Sequence, residues 1–351
     1  MSNAFSTLSN AGLRPFFQQQ LTLDDLTECH LVRVIGRHGD WLTLTNGDEQ
    51  SRLKLPGKWR QRSPEEQPII GDWLLLDQEG RPDRLLERSS HLARRASGHG
   101  RQSQSMVANV DTLFIVSSCN RDFNLSRLER YLALAHEGGV QPIILLTKAD
   151  LVTDPDAYLR QTAQLRGCMD VITLDARSAE SEQLLEPWIG AGETVALLGS
   201  SGVGKSTLMN TLQGCTITAT QPIRDDDDKG RHTTTSRIMV RMASGAWLID
   251  TPGIRELRLG ETQQGFEEVF ADIEQLAERC RFRDCDHEAT AGCAVQAAIE
   301  AGELEARRLN NYLKLQREQG YLKETVRQQR DRERRFSKMI NEVKTIKYGH
   351  R

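Results

Sequence analysis

The sequence predicts a multidomain protein with an N-terminal β-barrel, a central α/β domain and a C-terminal zinc-binding α-helical domain. Five short alternating segments near the N-terminus are separated by Gly, Asn, Asp and Pro, which predicts the barrel. From residue 111, apolar runs alternate with helical stretches, and a Cys and His cluster follows near residue 285. We expect an N-terminal extension at 1–29, the barrel at 30–105, the α/β domain at 106–260 and the zinc domain at 261–351.

The barrel strands are expected at residues 30–35, 40–45, 51–55, 72–76 and 83–86. Five strands in fewer than about 100 residues fit an OB-fold, a barrel that commonly binds oligonucleotides. Basic and Trp side chains interleave here: Trp41, Arg52, Lys54, Lys58, Trp59, Arg60, Arg62 and Trp73. Two interpretations stay open, an RNA-contacting surface or core tryptophans beside a solvated basic face. Residues 94–101 are basic and glycine-containing, and they predict a flexible linker.

The central region predicts a parallel doubly wound sheet. Its strands are expected at 112–116, 142–146, 170–174 and 194–198, and helices at 125–137, 156–165 and 180–188. The expected strand 194–198 runs into a glycine-rich turn, after which residues 206–213 have a helical pattern. This strand, turn and helix are the setting in which a phosphate-binding P-loop occurs.

The turn fills every fixed position of the P-loop pattern with Gly199, Ser200, Ser201, Gly202, Val203, Gly204, Lys205, Ser206 and Thr207. Its glycines let backbone N–H groups approach phosphate oxygens at the positive end of the helix dipole. Lys205 is expected to reach the terminal phosphates, and the Ser206 hydroxyl is expected to bind Mg²⁺.

Nucleotide choice is predicted by Thr147-Lys148-Ala149-Asp150, which follows the expected strand 142–146. Open α/β sheets bind ligands at the carboxyl ends of their strands. The Asp150 carboxylate can accept both N–H groups of the guanine Watson-Crick edge, whereas adenine offers no such donor pair. Alone, this tetrapeptide is also typical of an Asp-capped helix start.

A third motif, Asp250-Thr251-Pro252-Gly253, follows a short apolar strand. Asp250 is expected in the Mg²⁺ shell, and the Gly253 N–H is expected to meet the γ-phosphate. The Thr-Lys-Ala-Asp motif precedes the P-loop in the chain, although GTPases usually carry it after the P-loop. This inverted order indicates a circularly permuted GTPase.

A mobile switch loop is expected between the P-loop and Asp250, because the acidic run 225–228 precedes Gly230-Arg231-His232-Thr233-Thr234-Thr235. Thr234 is the candidate to complete Mg²⁺ coordination. Ile254 stands where Ras-like enzymes carry a water-orienting Gln. His232 is therefore the local candidate for positioning water, against the alternative of a solvated loop histidine.

A structural zinc site is predicted from Cys280, Cys285, His287 and Cys293. Three thiolates and one imidazole suit tetrahedral Zn²⁺ with no position left open for catalysis. Disulfides are the alternative, but the odd number of seven cysteines disfavours them. The other four cysteines, Cys29, Cys119, Cys168 and Cys215, are expected as dispersed reduced thiols.

Composition excludes a membrane-spanning or globally basic protein. Net charge is −3, and the chain has no long apolar stretch and no secretory leader pattern at its start. We expect a cytoplasmic protein. Local basicity occurs after Tyr321, where ten Lys or Arg face four acidic residues. Beside a zinc module this segment is a candidate phosphate-binding arm.

Together the motifs resemble the RsgA (YjeQ) family of circularly permuted, small-ribosomal-subunit-dependent GTPases. The resemblance covers roughly residues 30–320 and includes the barrel, the three GTPase motifs, Gly-Arg-His-Thr-Thr-Thr and the Cys-His cluster. It implies a monomeric late-assembly factor that binds GTP, GDP and the rRNA of the small subunit, and that hydrolyses GTP more readily there. It also assigns the family's proposed catalytic histidine to His232.

Two residues depart from the family pattern. Thr147 replaces an Asn that braces the P-loop, which implies weaker guanine affinity. Asp175 and Ala176 stand where the family presents a Ser-Ala pair to the base. Two alternatives stay open: an RNA-docking protein in which nucleotide is structural, and a paralogue with a shifted RNA partner.

Overall fold

The computed structural model describes residues 2–95, 103–165, 170–213, 237–250, 264–288 and 290–323. The chain divides into two units, Met1–Glu278 and Arg279–Arg351. The sequence-based division into four segments stays a prediction. Throughout the described ranges, no helix has both the length and the apolar composition that crossing a bilayer requires.

Three helices form the N-terminal segment: α1 (Ser2–Asn10), α2 (Pro15–Gln18) and α3 (Leu23–Glu28). The side chain of Thr22 caps α3 by accepting a hydrogen bond from the Asp25 N–H, while the Asp25 carboxylate accepts from the Thr22 N–H. This reciprocal capping box stabilises so short a helix at its first turn.

The five strands predicted for the N-terminal barrel are confirmed as strands, and we call them the barrel strands, whereas their closure into an OB-fold barrel stays a prediction. They are β1 (His30–His38), β2 (Trp41–Thr45), β3 (Gln50–Lys54), β4 (Trp73–Leu76) and β5 (Pro82–Leu85), with a short helix α4 (Gly57–Arg60) after β3. All neighbouring strands are antiparallel, in the order β3-β2-β1-β4-β5. Their shared core contains Val34, Leu42, Leu44 and Leu74.

Strand β4 is buried on both faces. Leu74 and Leu76 point into the barrel core, whereas Trp73 and Leu75 pack against the N-terminal segment. Trp73 is 0% exposed and Trp59 is 4% exposed, but Trp41 is 48% exposed. An RNA surface that uses all three tryptophans is therefore wrong, because two of them fill cores.

A β-hairpin that sequence reasoning missed follows the barrel: β6 (His91–Arg95) and β7 (Ser103–Ala108). Arg94 and Arg95 lie in β6 and pair with β7, so the predicted flexible linker is wrong for these two residues. Residues 96–102 lie outside the described ranges.

The predicted central strands and helices are confirmed, with ends shifted by up to three residues. The strands are β8 (Thr112–Ser118), β9 (Gln141–Thr147), β10 (Asp170–Thr173), β11 (Thr194–Leu198), β12 (Arg237–Arg241) and β13 (Trp247–Asp250). The helices are α5 (Leu125–Glu137), α6 (Asp156–Thr162), α7 (Glu180–Leu185) and α8 (Lys205–Leu212), with 3₁₀ turns at Ala149–Leu151 and Glu186–Trp188.

The central sheet is mixed rather than wholly parallel. Strands β10-β9-β8-β11-β13 are parallel, but β12 runs antiparallel to β13. The connection 242–246 between β12 and β13 is too short for the crossover that parallel strands need, so it makes a hairpin. On its other edge β12 pairs with β1, and the sheet continues into the barrel strands.

Helices cover the parallel strands on both faces. Alternate residues of β8, β9 and β11 form a core with α7 and α8, including Phe114, Leu145 and Leu208. The intervening strand residues are also buried, and α5 packs on β8 and β9. Because both faces are covered, the strands are almost continuously apolar, which is why the sequence reveals them.

Arg33, a β1 residue that is 1% exposed, joins the barrel to the central sheet. Its guanidinium donates to Ala11 O (2.5 Å), Asn109 O (3.1 Å) and Thr194 Oγ1 (2.8 Å). Burial lowers its pKa to about 10. These partners come from the N-terminal segment, the connection between β7 and β8, and the start of β11, so one cation ties three parts of the chain together.

Four more helices follow: α9 (Gln264–Val269), α10 (Ala271–Ala277), α11 (Ala294–Glu300) and α12 (Ala306–Lys323). The first two belong to the first unit, and the last two belong to the second. The basic segment expected after Tyr321 lies, beyond Lys323, outside the described residues.

His91, at the start of β6, is expected to make stability depend on pH. Its Nε2 is buried and has no hydrogen-bond partner among the described residues. Burial, and then the nearby Arg88, lower its pKa to about 4. An unfolded imidazole takes a proton near pH 6.5, whereas the folded one resists protonation down to about pH 4. The free energy of unfolding therefore decreases as pH falls through this window.

We predict that His91→Phe flattens this dependence. Between pH 7.5 and 5.0 the variant should lose about 1 kcal/mol less stability than the parent, after allowance for the partial exposure of the imidazole. Urea denaturation at both pH values measures this. His38→Phe, at an exposed position of β1, controls for loss of a histidine. Equal pH profiles of parent and His91→Phe would contradict the prediction.

Candidate nucleotide site and candidate metal centre

The turn between β11 and α8 has the geometry of a P-loop. Gly202 and Gly204 adopt positive φ angles of 80° and 98°, which favour glycine. A Cβ on Gly199 would lie 2.2 Å from Val116 O, so only glycine permits the turn to cross β8 this closely. Lys205 is the first residue of α8, as the motif requires.

The side chain of Lys205 folds back over the turn. Its Nζ donates to Gly199 O at 2.7 Å and also to Ser200 O. Ser206 and Thr207 lie in the first turn of α8 and are exposed. The ammonium, the exposed hydroxyls and the N-terminal end of the helix therefore lie around one loop, which suits an anionic ligand.

Thr147, the last residue of β9, binds the P-loop directly. Its side chain is buried, and Oγ1 lies 2.5 Å from Val203 O and 3.2 Å from Ser117 O. A hydroxyl has a single proton, so Thr147 shares it between these two carbonyls, with the shorter contact to the P-loop. Thr147 therefore contacts the P-loop directly through its side chain.

Lys148 also reaches the P-loop, with Nζ 2.7 Å from Gly202 O. Its backbone has a positive φ of 59°, an uncommon conformation for a side chain of this size. The residues of the Thr-Lys-Ala-Asp motif therefore leave β9 in a sharp turn toward the P-loop. Asp150 follows in the 3₁₀ turn and is 28% exposed at its side chain.

The loop after β10 completes this side of the site. Ala176 O accepts a hydrogen bond from Thr211 Oγ1 of α8 at 2.7 Å, which holds the loop against the P-loop helix. Asp175 Oδ1 accepts from the backbone N–H of Arg177 at 3.0 Å, and this bond is the main cause of its lowered pKa. The predicted residues 147–150, 175–176 and 199–207 are thus brought together.

Sequence reasoning missed two arginines here. Arg177 Nη2 lies 2.6 Å from Asp150 Oδ2, and Arg177 Nε lies 3.2 Å from Asp175 Oδ1. Arg127 of α5 pairs with Asp122 at 2.9 Å and donates to Ser200 Oγ in the P-loop. For Arg177 the available signal was its position directly after Asp175-Ala176. For Arg127 none existed, because only the tertiary fold brings α5 to the P-loop.

The remaining predicted nucleotide contacts are only partly described. Asp250 ends β13, which pairs in parallel with the P-loop strand β11. Its backbone is thus near the loop, and its side chain is not described. His232, Thr234, Gly253 and Ile254, like the acidic run 225–228, lie outside the described residues.

The second unit contains the candidate metal centre. The ligand atoms of Cys280, Cys285, His287 and Cys293 lie within 4.8 Å of one another. Cys280 Sγ is 3.8 Å from Cys293 Sγ and 3.6 Å from His287 Nδ1, and Cys293 Sγ is 3.5 Å from His287 Nδ1. Usual zinc bond lengths place two sulfurs about 3.8 Å apart, and a sulfur and a nitrogen about 3.6 Å apart, around a tetrahedral ion. The donor set therefore fits Zn²⁺.

Local structure fixes two of these ligands. Cys293 is the N-cap of α11, and its Sγ accepts the Gln296 N–H at 3.4 Å, so the helix start fixes the position of this sulfur. His287 is buried and adopts a positive φ of 58°. Such a backbone conformation in a bulky residue persists only where the surroundings hold it.

The Thr-Lys-Ala-Asp motif precedes the P-loop in the chain, yet both follow the carboxyl ends of parallel strands at one edge of the sheet. This arrangement defines the class of circularly permuted P-loop GTPases. The family model described as RsgA GTPase matches residues 85–260. Another, described as ABC transporter, matches residues 186–345, a range that includes the P-loop. The chain belongs to the RsgA GTPase family.

Curated relatives extend over most of the chain. "Small ribosomal subunit biogenesis GTPase RsgA 2" of Vibrio vulnificus (strain CMCP6) is 48% identical, covering 97% of this chain and 96% of the relative. "Small ribosomal subunit biogenesis GTPase RsgA" of Mesorhizobium japonicum is 46% identical, covering 88% and 89%.

Solved structures agree with the fold. The chain is similar to YloQ, described as a circularly permuted GTPase, with 25% identity, a TM-score of 0.57 and coverage of 85% of this chain and 97% of that one. YjeQ from Thermotoga maritima has 24% identity, a TM-score of 0.60 and coverage of 83% and 98%. The latter likeness supports the fold alone.

We predict that Thr147→Val destabilises the first unit by about 1 to 2 kcal/mol, because it removes the buried donor to Val203 O while keeping the side-chain shape. Urea denaturation measures the change. Thr162→Val is the matched control, since among the described residues that buried hydroxyl bonds Leu159 O within its own helix and nothing in the P-loop. Equal losses in both variants would show that the contact with the P-loop contributes nothing extra.

For the metal centre we predict about one zinc per chain, bound more weakly at acidic pH because thiolates must be deprotonated to bind. Cys285→Ser should lower zinc content and the thermal stability of the second unit. Metal analysis by mass spectrometry and thermal unfolding measure both. Cys29→Ser, a cysteine far from the cluster in the chain, should keep its zinc. Full zinc content in Cys285→Ser would contradict the assignment.

Proposed function

We propose that this protein is a Mg²⁺-dependent GTPase that binds the small ribosomal subunit and acts in its biogenesis. The observation that carries the proposal is the contact of Thr147 and Lys148 with the P-loop at Val203 and Gly202. A guanine-recognition motif and a phosphate-binding loop that share one site suit GTP. Both curated relatives carry the name small ribosomal subunit biogenesis GTPase.

On the phosphate side, backbone N–H groups of residues 199–207 would bind the phosphates. Lys205 would move from Gly199 O to the β- and γ-phosphates, and Ser206 would bind Mg²⁺. Asp250 would hold the Mg²⁺ shell and Gly253 would meet the γ-phosphate. The N-terminal position of Lys205 in α8 supports these roles.

On the base side, Asp150 would accept the two guanine N–H groups, with Lys148 and the Asp175-Ala176 loop beside it. Thr147 would hold the P-loop next to this pocket through its hydrogen bond to Val203 O. Support comes from the two links already in place, Thr147 to Val203 O and Thr211 to Ala176 O. Adenine would leave the Asp150 oxygens without donors, which disfavours ATP.

For hydrolysis we propose that His232 positions the attacking water and that Thr234 completes Mg²⁺ coordination. Ile254 provides no polar group for the first task. These roles rest on the family pattern, since the three residues lie outside the described ranges.

The barrel is the proposed RNA-contacting domain. The strand path β3-β2-β1-β4-β5 around one core supports an OB-fold. On its surface Trp41 is exposed, and Lys54 Nζ lies 6.0 Å from its ring. An exposed aromatic ring next to cations can stack on an unpaired rRNA base. Arg52, Lys58 and Arg60 are exposed nearby in the chain.

The zinc centre is proposed as structural, because four protein ligands leave no open position. Its role would be to stabilise a segment too small to form a large core. The basic C-terminal residues would add phosphate contacts with rRNA. A monomer in the cytoplasm, where ribosomes assemble, completes the proposal.

The test is GTP turnover with and without purified small ribosomal subunits. We expect subunits to stimulate hydrolysis, Lys205→Ala to abolish it, and His232→Ala to reduce it by about 100-fold or more, as loss of a water-positioning group does. His38→Ala, at an exposed barrel position, is the control. Turnover unaffected by subunits would contradict the proposed partner.

A test in cells separates the GTPase from a docking protein in which the nucleotide is structural. If cells that carry Lys205→Ala mature their small subunits normally, although the variant binds no nucleotide, the docking function is correct. Competition of labelled GTP by unlabelled GTP, but not by ATP, checks the base preference.

A further inference from the structure

We propose that Arg177 sets the affinity and base specificity of the nucleotide site by competing with guanine for the Asp150 carboxylate. This inference rests on the proposed function, in which Asp150 reads the guanine edge. It assigns a role to a residue that lies beside the base-recognition motifs and belongs to none of them.

The geometry places the Arg177 guanidinium between two carboxylates. Nη2 lies 2.6 Å from Asp150 Oδ2, and Nε lies 3.2 Å from Asp175 Oδ1. Asp175 also accepts the Arg177 backbone N–H at 3.0 Å. Asp175 thus holds Arg177 by both main chain and side chain, and it aims the far end of the guanidinium at Asp150.

This arrangement explains the Asp at position 175. A serine there has no negative charge to hold the guanidinium, whereas the carboxylate is an anchor for it. The structure therefore connects the departure at Asp175 with the state of Asp150, two residues that sequence reasoning treated separately.

Competition follows from the charge of the guanidinium. Each carboxylate oxygen can accept more than one hydrogen bond, so the bond of Arg177 to Oδ2 does not block Asp150, but the adjacent positive charge makes the carboxylate a weaker acceptor. Guanine relies on this carboxylate through two N–H donors, whereas hypoxanthine lacks the exocyclic amine and relies on it through one. Arg177 should therefore weaken GDP binding more than IDP binding, and so reduce the preference for guanine.

The experiment is calorimetric titration of GDP and of IDP into the full-length protein and its Arg177→Ala variant at 0.1 M NaCl. We expect the GDP Kd of Arg177→Ala to fall about two- to fivefold, the range typical of an exposed ion pair. The IDP Kd should change much less, so the IDP-to-GDP Kd ratio should rise. At 1 M NaCl the gain should shrink, because salt screens exposed charges.

Arg160→Ala is the matched control. Arg160 is as exposed as Arg177 and pairs with a carboxylate at 2.8 Å, but it lies on α6 and its partner, Asp154, is outside the base-recognition motifs. It should leave both Kd values unchanged. The ratio of the two ligands removes any general effect of losing one positive charge, since GDP and IDP carry the same phosphates.

An unchanged or lower IDP-to-GDP ratio in Arg177→Ala overturns the inference, and weaker GDP binding would show that Arg177 supports the base instead. Asp150→Ala separates this from failure of the proposed function. If the parent binds GDP no more tightly than ADP, and Asp150→Ala leaves the GDP Kd unchanged, Asp150 does not recognise guanine. In that case the proposed function itself is wrong, whatever Arg177 does. Urea midpoints of the exposed-site variants verify that all remain folded.

Discussion

The parallel register of β9, β8 and β11 is the constraint on which the candidate nucleotide site depends. Strand β8 lies between the other two and pairs Ser118 with Thr147 on one side and Ile115 with Leu198 on the other. Parallel strands present their carboxyl ends at one edge, so the base motif and the P-loop meet there whichever comes first in the chain. Permutation changes the connections and leaves this edge intact.

The same strand that delivers the P-loop also connects with the barrel. Thr194, at the start of β11, accepts a hydrogen bond from the buried Arg33 of β1, and Gly199 follows the other end of β11. A second connection is the pairing of β12 with β1, since β12 directly follows the segment that contains His232 and Thr234. The barrel strands and the strands of the candidate nucleotide site thus belong to one sheet, which gives a physical route by which the proposed switch residues and the proposed RNA-contacting surface can influence each other.

The strands that are buried on both faces could be predicted from the sequence, because a short continuous apolar run such as 194–198 indicates a buried strand. Helix 125–137 was found to the residue, since Asn124 caps its start and Gly138 follows its end. The failures have a common cause. The hairpin β6-β7, strand β12 and the burial of Trp59 and Trp73 depend on partners distant in the chain, which local pattern does not reveal.

In the candidate site, the phosphate side was more predictable than the base side. Phosphate binding relies on backbone groups, so glycines at fixed spacing with a following lysine determine its geometry almost alone. Base recognition relies on side chains, and their state depends on neighbours: Thr147 shares one proton between two carbonyls, and Asp150 is engaged by Arg177. Both residues that depart from the family pattern, Thr147 and Asp175, lie on this side. Variation there can adjust guanine affinity without disturbing the phosphate-binding backbone, so the base side is where members of one GTPase family can diverge.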